Sequence, residues 1–349
     1  MPPDLRKFFR DDVLAMRPYV PGEQPLTGKV IKLNTNENPY PPSPQVMTAI
    51  QQAATRLERY PDPLATAFRM RAAEVLQVEA DQILCGNGSD DILTIVTRAF
   101  VSSGDAIRLP YPSYILYRTL AELQGARFEE VTFAADWSLP PAFFASTPDL
   151  RLVYLPNPNS PSGTLVSRDQ ILALADQLPC PLLVDEAYVD FAPTSCIDLP
   201  AINPKIMVSR TLSKSYALAG LRFGYLVADK EVIAMLRKVK DSYNTDSLSI
   251  AGATAAIDDQ AWLKENVRRC NATRERLTRG LVELGFEVIP SHANFVWCTH
   301  PQKNAESLYQ QLKANGILVR YMKYPGWGDG LRISVGTDPA IDAVLALLK

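Results

Sequence analysis

A chain of 349 residues is too long for one small core and too short for three ordinary domains, so one large domain with a smaller companion is expected. Hydrophobic residues make up 47% and charged residues 21%, and a net charge of -2 with no block of consecutive Lys or Arg leaves no basic face for nucleic acid. No apolar run approaches the ~20 residues of a membrane helix, and the opening stretch, with Asp4, Arg6, Lys7, Arg10, Asp11 and Asp12, lacks the apolar core of a signal peptide, so a soluble protein with no membrane partner is expected.

The first thirty residues are Pro-rich without strong periodicity and are expected to pack on the small domain or across a partner. Ser43-Pro44 supplies the N-cap and first turn of a helix running toward Arg59. Ser89-Asp90-Asp91 opens another, with Ile92, Leu93, Val96 and Phe100 on one face. Residues 106–109, 152–155, 182–184, 206–209 and 223–227 read as strands, with helices such as 168–177 and 232–239 between or after them. This alternation predicts an α/β fold whose large domain has a mainly parallel central sheet between helices. Such sheets bind ligands in the crevice beyond the carboxyl ends of their strands. After Ser242 a long helix over 262–284 precedes strands at 286–289, 295–297, 317–321 and 331–334 and helices near 305–314 and 339–348, a smaller α+β domain. The expected division is 31–245 for the large domain, with 1–30 and 246–349 forming the small domain and its N-terminal arm.

The five cysteines are odd in number and none is in CxxC spacing, which predicts reduced thiols in the cytoplasm rather than a disulfide framework or a zinc site. Only His292 and His300 occur, too few for a His-rich metal site, and no serine lies in a GxSxG elbow. No metal is expected.

Chemistry concentrates in five strings. Residues 209–224 read SRTLSKSYALAGLRFG, so Lys214 follows an apolar strand among hydroxyls and small residues, with Arg222 eight positions later. A lysine amine needs such confinement to become a carbonyl nucleophile, and hydroxyls with an arginine suit a phosphate beside it. Asp185 ends an apolar strand in the string DEAYVDF, with Tyr188 three residues on. Cys85-Gly86-Asn87-Gly88-Ser89-Asp90 is a Gly-rich turn opening a helix, where free N–H groups and the helix dipole favour a phosphate. Asn157-Pro158-Asn159-Ser160-Pro161-Ser162-Gly163 is a tight polar loop, and Tyr111-Pro112-Ser113-Tyr114 follows a strand.

In this order the strings resemble the active-site motifs of the class II aminotransferases that use pyridoxal 5′-phosphate (PLP), enzymes of PLP-transferase fold type I. Asn34-Thr35-Asn36-Glu37-Asn38-Pro39, Tyr60-Pro61-Asp62 and the string LRISVGT at 331–337 narrow the resemblance to the histidinol-phosphate aminotransferases. It runs from Arg17-Pro18-Tyr19-Val20-Pro21-Gly22 to the C-terminal helix.

That resemblance implies a homodimer acting on small molecules: amino transfer from L-glutamate to imidazole-acetol phosphate, giving L-histidinol phosphate. It makes Lys214 the Schiff-base lysine and proton shuttle, Asp185 the partner of the pyridine nitrogen and Tyr188 a donor to the ring oxygen. Gly88, Ser89, Asp90, Thr211, Ser213 and Arg222 then surround the cofactor phosphate, Tyr114 stacks on the ring, and Tyr60 reaches the partner subunit's phosphate. The family's NPxNPTG loop carries a second Asn as donor to the ring oxygen; here that position is Ser160, leaving Ser160, Asn159 or Tyr188 for the task. Arg332 is implied to grip glutamate's carboxylate and the substrate phosphate in turn, with Tyr19, Asn36, Tyr243, Asn244 and Arg320 as further substrate contacts. An aromatic amino acid aminotransferase, or a decarboxylase of phosphorylated amino acids, on the same scaffold is the alternative. The sensor half of a transcription factor, which also uses this fold, is expected to need more chain than the roughly 35 residues before Asn36.

Overall fold

A computed structural model describes residues 4–16, 22–24 and 30–349. In chain order the strands are β1 (Ile31–Lys32), β2 (Ile83–Gly86), β3 (Ala106–Tyr111), β4 (Arg127–Thr132), β5 (Leu150–Pro156), β6 (Leu182–Asp185), β7 (Ile206–Thr211), β8 (Gly224–Val227), β9 (Glu287–Ile289), β10 (Phe295–Thr299), β11 (Ile317–Leu318), β12 (Arg320–Tyr324) and β13 (Gly328–Ser334). The helices are α1 (Asp11–Ala15), α2 (Pro44–Ala53), α3 (Thr66–Leu76), α4 (Ser89–Phe100), α5 (Leu116–Leu123), α6 (Arg168–Gln177), α7 (Lys230–Leu236), α8 (Ser247–Asp258), α9 (Gln260–Glu283), α10 (Ala305–Ala314) and α11 (Asp338–Leu348).

Among the described residues, β2-β8-β7-β6-β5-β3-β4 form a seven-stranded sheet. Pairs β3–β4, β3–β5, β5–β6 and β6–β7 are parallel and only β8 runs against its neighbours, so the mainly parallel sheet expected from the alternating pattern is present. Its strands β2, β6, β7 and β8 are buried along their whole length, as a sheet covered on both faces demands. On one face Leu93, Val96, Tyr117, Leu183 and Met207 pack together; on the other, Val153, Ile171, Leu174, Val184 and Val208 do. Helix α6 starts on a capping box in which Ser167 and Gln170 satisfy each other's end of the first turn.

The C-terminal unit is an antiparallel sheet, β12-β13-β10-β9, backed by α9, α10 and α11 through Leu277, Leu281, Leu312, Ile333 and Ile341. The strand expected over 317–321 is two strands: β11 pairs parallel with β1, and after Val319 the chain changes sheets so that β12 pairs with β13. Leu33 consequently sits in the core of the C-terminal unit, to which β1 is also paired through β11.

The helix just after the expected division at 245 also packs across it. Helix α8 places Ile250, Ala253 and Ile257 against Val46, Phe68 and Phe223 of the large domain. Residues 4–16, expected on the small domain or a partner, lean on the large one: Arg10 Nη2 donates to the Leu123 carbonyl of α5 at 2.8 Å. Local pattern cannot show such exchanges, because the partners lie outside the neighbouring elements of the chain.

Candidate active site

Strands β3, β5, β6 and β7 end at one edge of the sheet, and the residues just beyond them meet the C-terminal unit around a cavity of about 200 Å³. Its walls include Ser89, Asp90, Tyr114, Ser160, Asp185, Tyr188, Thr211, Ser213, Lys214, Arg222, Asn36, Arg320 and Arg332, so those thirteen residues singled out in the sequence converge on one space.

Asp185 closes β6 and is only 5% exposed. It accepts hydrogen bonds from the Tyr117 hydroxyl at 2.8 Å, the Ser209 hydroxyl at 3.2 Å and the Ala187 N–H at 3.2 Å. Burial pushes its carboxyl up to about 6, against the lowering effect of those donors. A carboxylate in that setting suits a protonated nitrogen facing it across the cavity. Tyr117, one turn beyond Tyr114 and stacked on Tyr154 at 4.6 Å, has no polar motif around it to reveal its task. Its position one helical turn after an aromatic cavity residue is the available signal.

At the opposite end lies an anion cradle. Helix α4 begins at Ser89, and Gly88 precedes it at φ 81°, where a Cβ would stand 2.5 Å from the Arg222 guanidinium. Gly224 lets the turn approach β8: a Cβ there would lie 2.5 Å from the Ser89 backbone nitrogen. Thr211 donates to Ser213 at 3.0 Å and Arg222 to Ser213 at 3.4 Å. Arg222 itself holds the left-handed conformation at φ 54°. It also meets the Asp90 carboxylate at 3.3 Å; with both side chains nearly half exposed, that pair is weak. Tyr114 donates to the other Asp90 oxygen at 3.2 Å.

Between the two ends stand Lys214 and Tyr188. Lys214 Nζ donates to the Thr35 carbonyl at 3.4 Å and lies 5.7 Å from the Tyr188 ring centre. The Tyr188 hydroxyl accepts from Asn36 Nδ2 at 3.0 Å, and its ring meets Phe295 edge-on. Behind this wall Arg210 donates to Glu186 at 2.9 Å, to Asp190 at 3.2 Å and to the Ser195 hydroxyl at 2.6 Å, while the Ser215 hydroxyl donates to Asp190. Burial works against the Arg210 charge; Glu186 and Asp190 more than offset it and hold the guanidinium above its ordinary range.

The C-terminal wall is cationic. Arg332 donates to the Ser160 hydroxyl at 2.9 Å and to the Asn34 carbonyl at 3.0 Å. Arg320 is its direct cross-strand partner between β12 and β13.

Other expected site residues stand apart in this chain. Asn159 donates to the Pro112 carbonyl at 3.3 Å and to Ser162 at 2.9 Å, bracing its own loop outside the cavity, so of the two loop candidates only Ser160 faces inward. Asn244 donates to the Cys85 carbonyl at 3.1 Å and to Asp91 at 2.8 Å, supporting the Gly-rich turn from behind. Tyr60, 81% exposed, stacks on Tyr243 at 4.6 Å on the outer surface. Tyr19 lies outside the described residues.

A mainly parallel sheet whose strand ends present a confined lysine, a buried aspartate and an anion cradle defines a PLP-dependent aminotransferase. Residues 28–348 match the family described as aminotransferase class I and II, and the chain belongs to that family. Within it the similarity is to histidinol-phosphate aminotransferases: 58% identity over 343 residues to that of Rhodopirellula baltica, covering 98% of this chain and 95% of the relative. Histidinol-phosphate aminotransferase 1 of Trichormus variabilis is 46% identical, with 96% of each chain covered. The crystal structure of the Sinorhizobium meliloti histidinol-phosphate aminotransferase, in complex with pyridoxal 5′-phosphate, superposes with a TM-score of 0.89 at 28% identity, covering 97% of this chain and 96% of that one. PLP is the cofactor of this chain, and the donor set fits it: cradle, buried carboxylate and lysine occur in one cavity. Among the described residues no helix is long and apolar enough to cross a membrane.

Proposed function

We propose that the chain transfers the amino group of L-glutamate to imidazole-acetol phosphate, making L-histidinol phosphate and 2-oxoglutarate in L-histidine biosynthesis. The observation that carries this choice is the pairing of Arg320 with Arg332 across β12 and β13, both lining the cavity. Like charges directly opposite each other on a sheet repel, and an anion between them reverses the sign. A substrate bearing a phosphate dianion uses both guanidiniums; a plain amino acid carboxylate needs only one.

Bound PLP supplies an electron sink for the pair left behind when a Cα–H bond breaks. Every other task falls to the chain. Lys214 would hold the cofactor, and its amine, when free, would take the Cα proton as general base and hand it on to the cofactor side. Asp185, when ionised, would hold the proton on the ring nitrogen by electrostatic attraction. Tyr188 donates to the ring oxygen, with Ser160 turned to Arg332. Ser89, Thr211, Ser213 and Arg222 hold the phosphate, with Gly88 admitting the close approach, and Tyr114 covers the ring face. Arg332 orients the carboxylate of glutamate in one half-reaction and joins Arg320 on the substrate phosphate in the other.

Tyr60 and Tyr243 act across a two-fold interface. Their exposure beside a groove of about 840 Å³ lined by Gln52, Arg59, Ile250 and Thr254 supports a homodimer completed by the second copy. The five cysteines are free and buried, which suits the reducing cytoplasm.

A coupled assay of purified protein with L-histidinol phosphate and 2-oxoglutarate tests the reading, with phenylalanine as competitor donor. Turnover of histidinol phosphate well above phenylalanine is expected. Phenylalanine converted as fast would hand the assignment to an aromatic aminotransferase.

A further inference from the structure

Three consecutive residues each meet a different member of the site. The Asn34 carbonyl accepts from Arg332 at 3.0 Å, the Thr35 carbonyl accepts from Lys214 at 3.4 Å, and Asn36 Nδ2 donates to Tyr188 at 3.0 Å. On its other side the segment is fastened to the C-terminal sheet. The Ser334 N–H donates to the Leu33 carbonyl at 3.0 Å, and Asn294 Nδ2 donates to the Asn36 carbonyl at 2.9 Å. The Ser334 hydroxyl accepts from the Asn36 N–H at 2.9 Å and donates to Asn36 Oδ1 at 2.9 Å.

That last bond sets the amide's direction. The Ser334 proton needs an acceptor, Oδ1 provides it, and Nδ2 is thereby turned to Tyr188. Asn36 is 1% exposed and sits at φ 56°, a left-handed conformation that asparagine and glycine tolerate and most residues do not. A phenol has a single proton. With Nδ2 donating to its oxygen, the Tyr188 hydroxyl is left to donate in another direction, and the cavity lies on its open side.

We propose that Asn36 is a positioning residue acting through Tyr188: its amide aims the phenol proton into the cavity, at the ring oxygen of bound PLP, and it does so only while the C-terminal sheet grips it. Asn36 therefore couples the seating of that sheet, which brings Arg332, to the hydrogen bond that tunes the cofactor. This rests on the cofactor assignment and on Tyr188 as ring-oxygen donor.

The test is a pH titration of the visible absorption of the bound cofactor in the holoenzyme, without amino donor or acceptor. Wild type, Asn36→Gly, Tyr188→Phe and the double variant are compared. Glycine accepts the left-handed backbone, adds no charge and removes the amide donor. A phenolate oxygen that loses a donor becomes the better base, so the midpoint should rise by roughly half a unit or more in both single variants. In the double variant it should rise no further than in Tyr188→Phe. An unmoved midpoint in Asn36→Gly while Tyr188→Phe shifts, or shifts that add in the double variant, would overturn the coupling and leave Asn36 a structural fastening. Should Asn36→Gly fail to fold, Ser334→Ala releases the amide's Oδ1 and is compared with Tyr188→Phe on the same two criteria. A wild type with no visible band sinks the cofactor assignment and this proposal with it. A normal band without histidinol phosphate turnover sinks only the substrate reading.

Discussion

The two walls of the cavity are built on different principles. The cofactor wall draws Asp185, Tyr188, Thr211, Ser213, Lys214 and Arg222 from β6, β7 and the chain just after them, hydrogen-bonded neighbours in one buried sheet. Behind it, Arg210 ties Glu186 and Asp190 together, next to Asp185 on one side and reaching Ser215 beside Lys214 on the other. The substrate wall gathers Arg320 and Arg332 from β12 and β13, Ser160 from a loop after β5 and the 34–36 segment from near the N-terminus. Two of its contacts are with main-chain carbonyls, those of Asn34 and Thr35. A wall inside one sheet is preorganised; a wall shared between two units exists only when they are seated, which suits a site that must admit two different substrates in turn.

If the cofactor wall is rigid because of the buried network, Arg210→Ala should give the largest effect. Removing one member leaves Glu186, fully buried, without its cation, which costs about 3–5 kcal/mol. Urea unfolding of the apoprotein measures it, and a loss below about 1 kcal/mol would show that the buried network does not hold this wall rigid. On the substrate wall, Arg332→Ala should lower kcat/KM by about thirtyfold or more, from a loss of roughly 2–5 kcal/mol, for glutamate and histidinol phosphate alike. Arg320→Ala should penalise histidinol phosphate more than glutamate. Stopped-flow decay of the cofactor band with each donor separates them; equal losses for both donors in Arg320→Ala would remove the shared phosphate pocket.

The smallest effect is a pH dependence at the cofactor wall. Asp185 in the apoprotein titrates at about 6, raised by burial. Below that value it carries a proton and must release it before it can pair with a protonated ring nitrogen. Affinity for PLP should therefore fall as pH drops through about 6, and stay level above it as far as this group is concerned. Asp185→Asn binds more weakly and should lack that step, so the difference between the two profiles, by equilibrium dialysis, isolates the carboxylate from the phosphate's own titration. Parallel profiles would mean that Asp185 is not the group facing the ring.

The cofactor wall was legible in the sequence because its chemistry is carried by strings in which the reactive residue and the strand that positions it are adjacent. Lys214 stands three residues beyond the end of β7, Asp185 ends β6, and Gly88 directly precedes α4. Periodicity likewise marked α6 over the same residues that form it, since a helix bonds four residues back and needs no distant partner. Other features depend on partners remote in the chain. The break at Val319 exists because β1 claims β11 while β13 claims β12. Tyr117 reaches Asp185 across 68 positions, and Asn36 reaches Ser334 across 298. The inward turn of Ser160 and the outward turn of Asn159, adjacent in one loop, follow from Arg332 on one side and Pro112 on the other. Sequence alone therefore determined the mainly parallel sheet and the strings that line its edge of the cavity, because these rest on contacts within a strand and its turn. Tertiary structure alone decided which side chains of the C-terminal unit face the cavity and which carbonyls fix them, because those contacts form only when segments from both ends of the chain close on the same space.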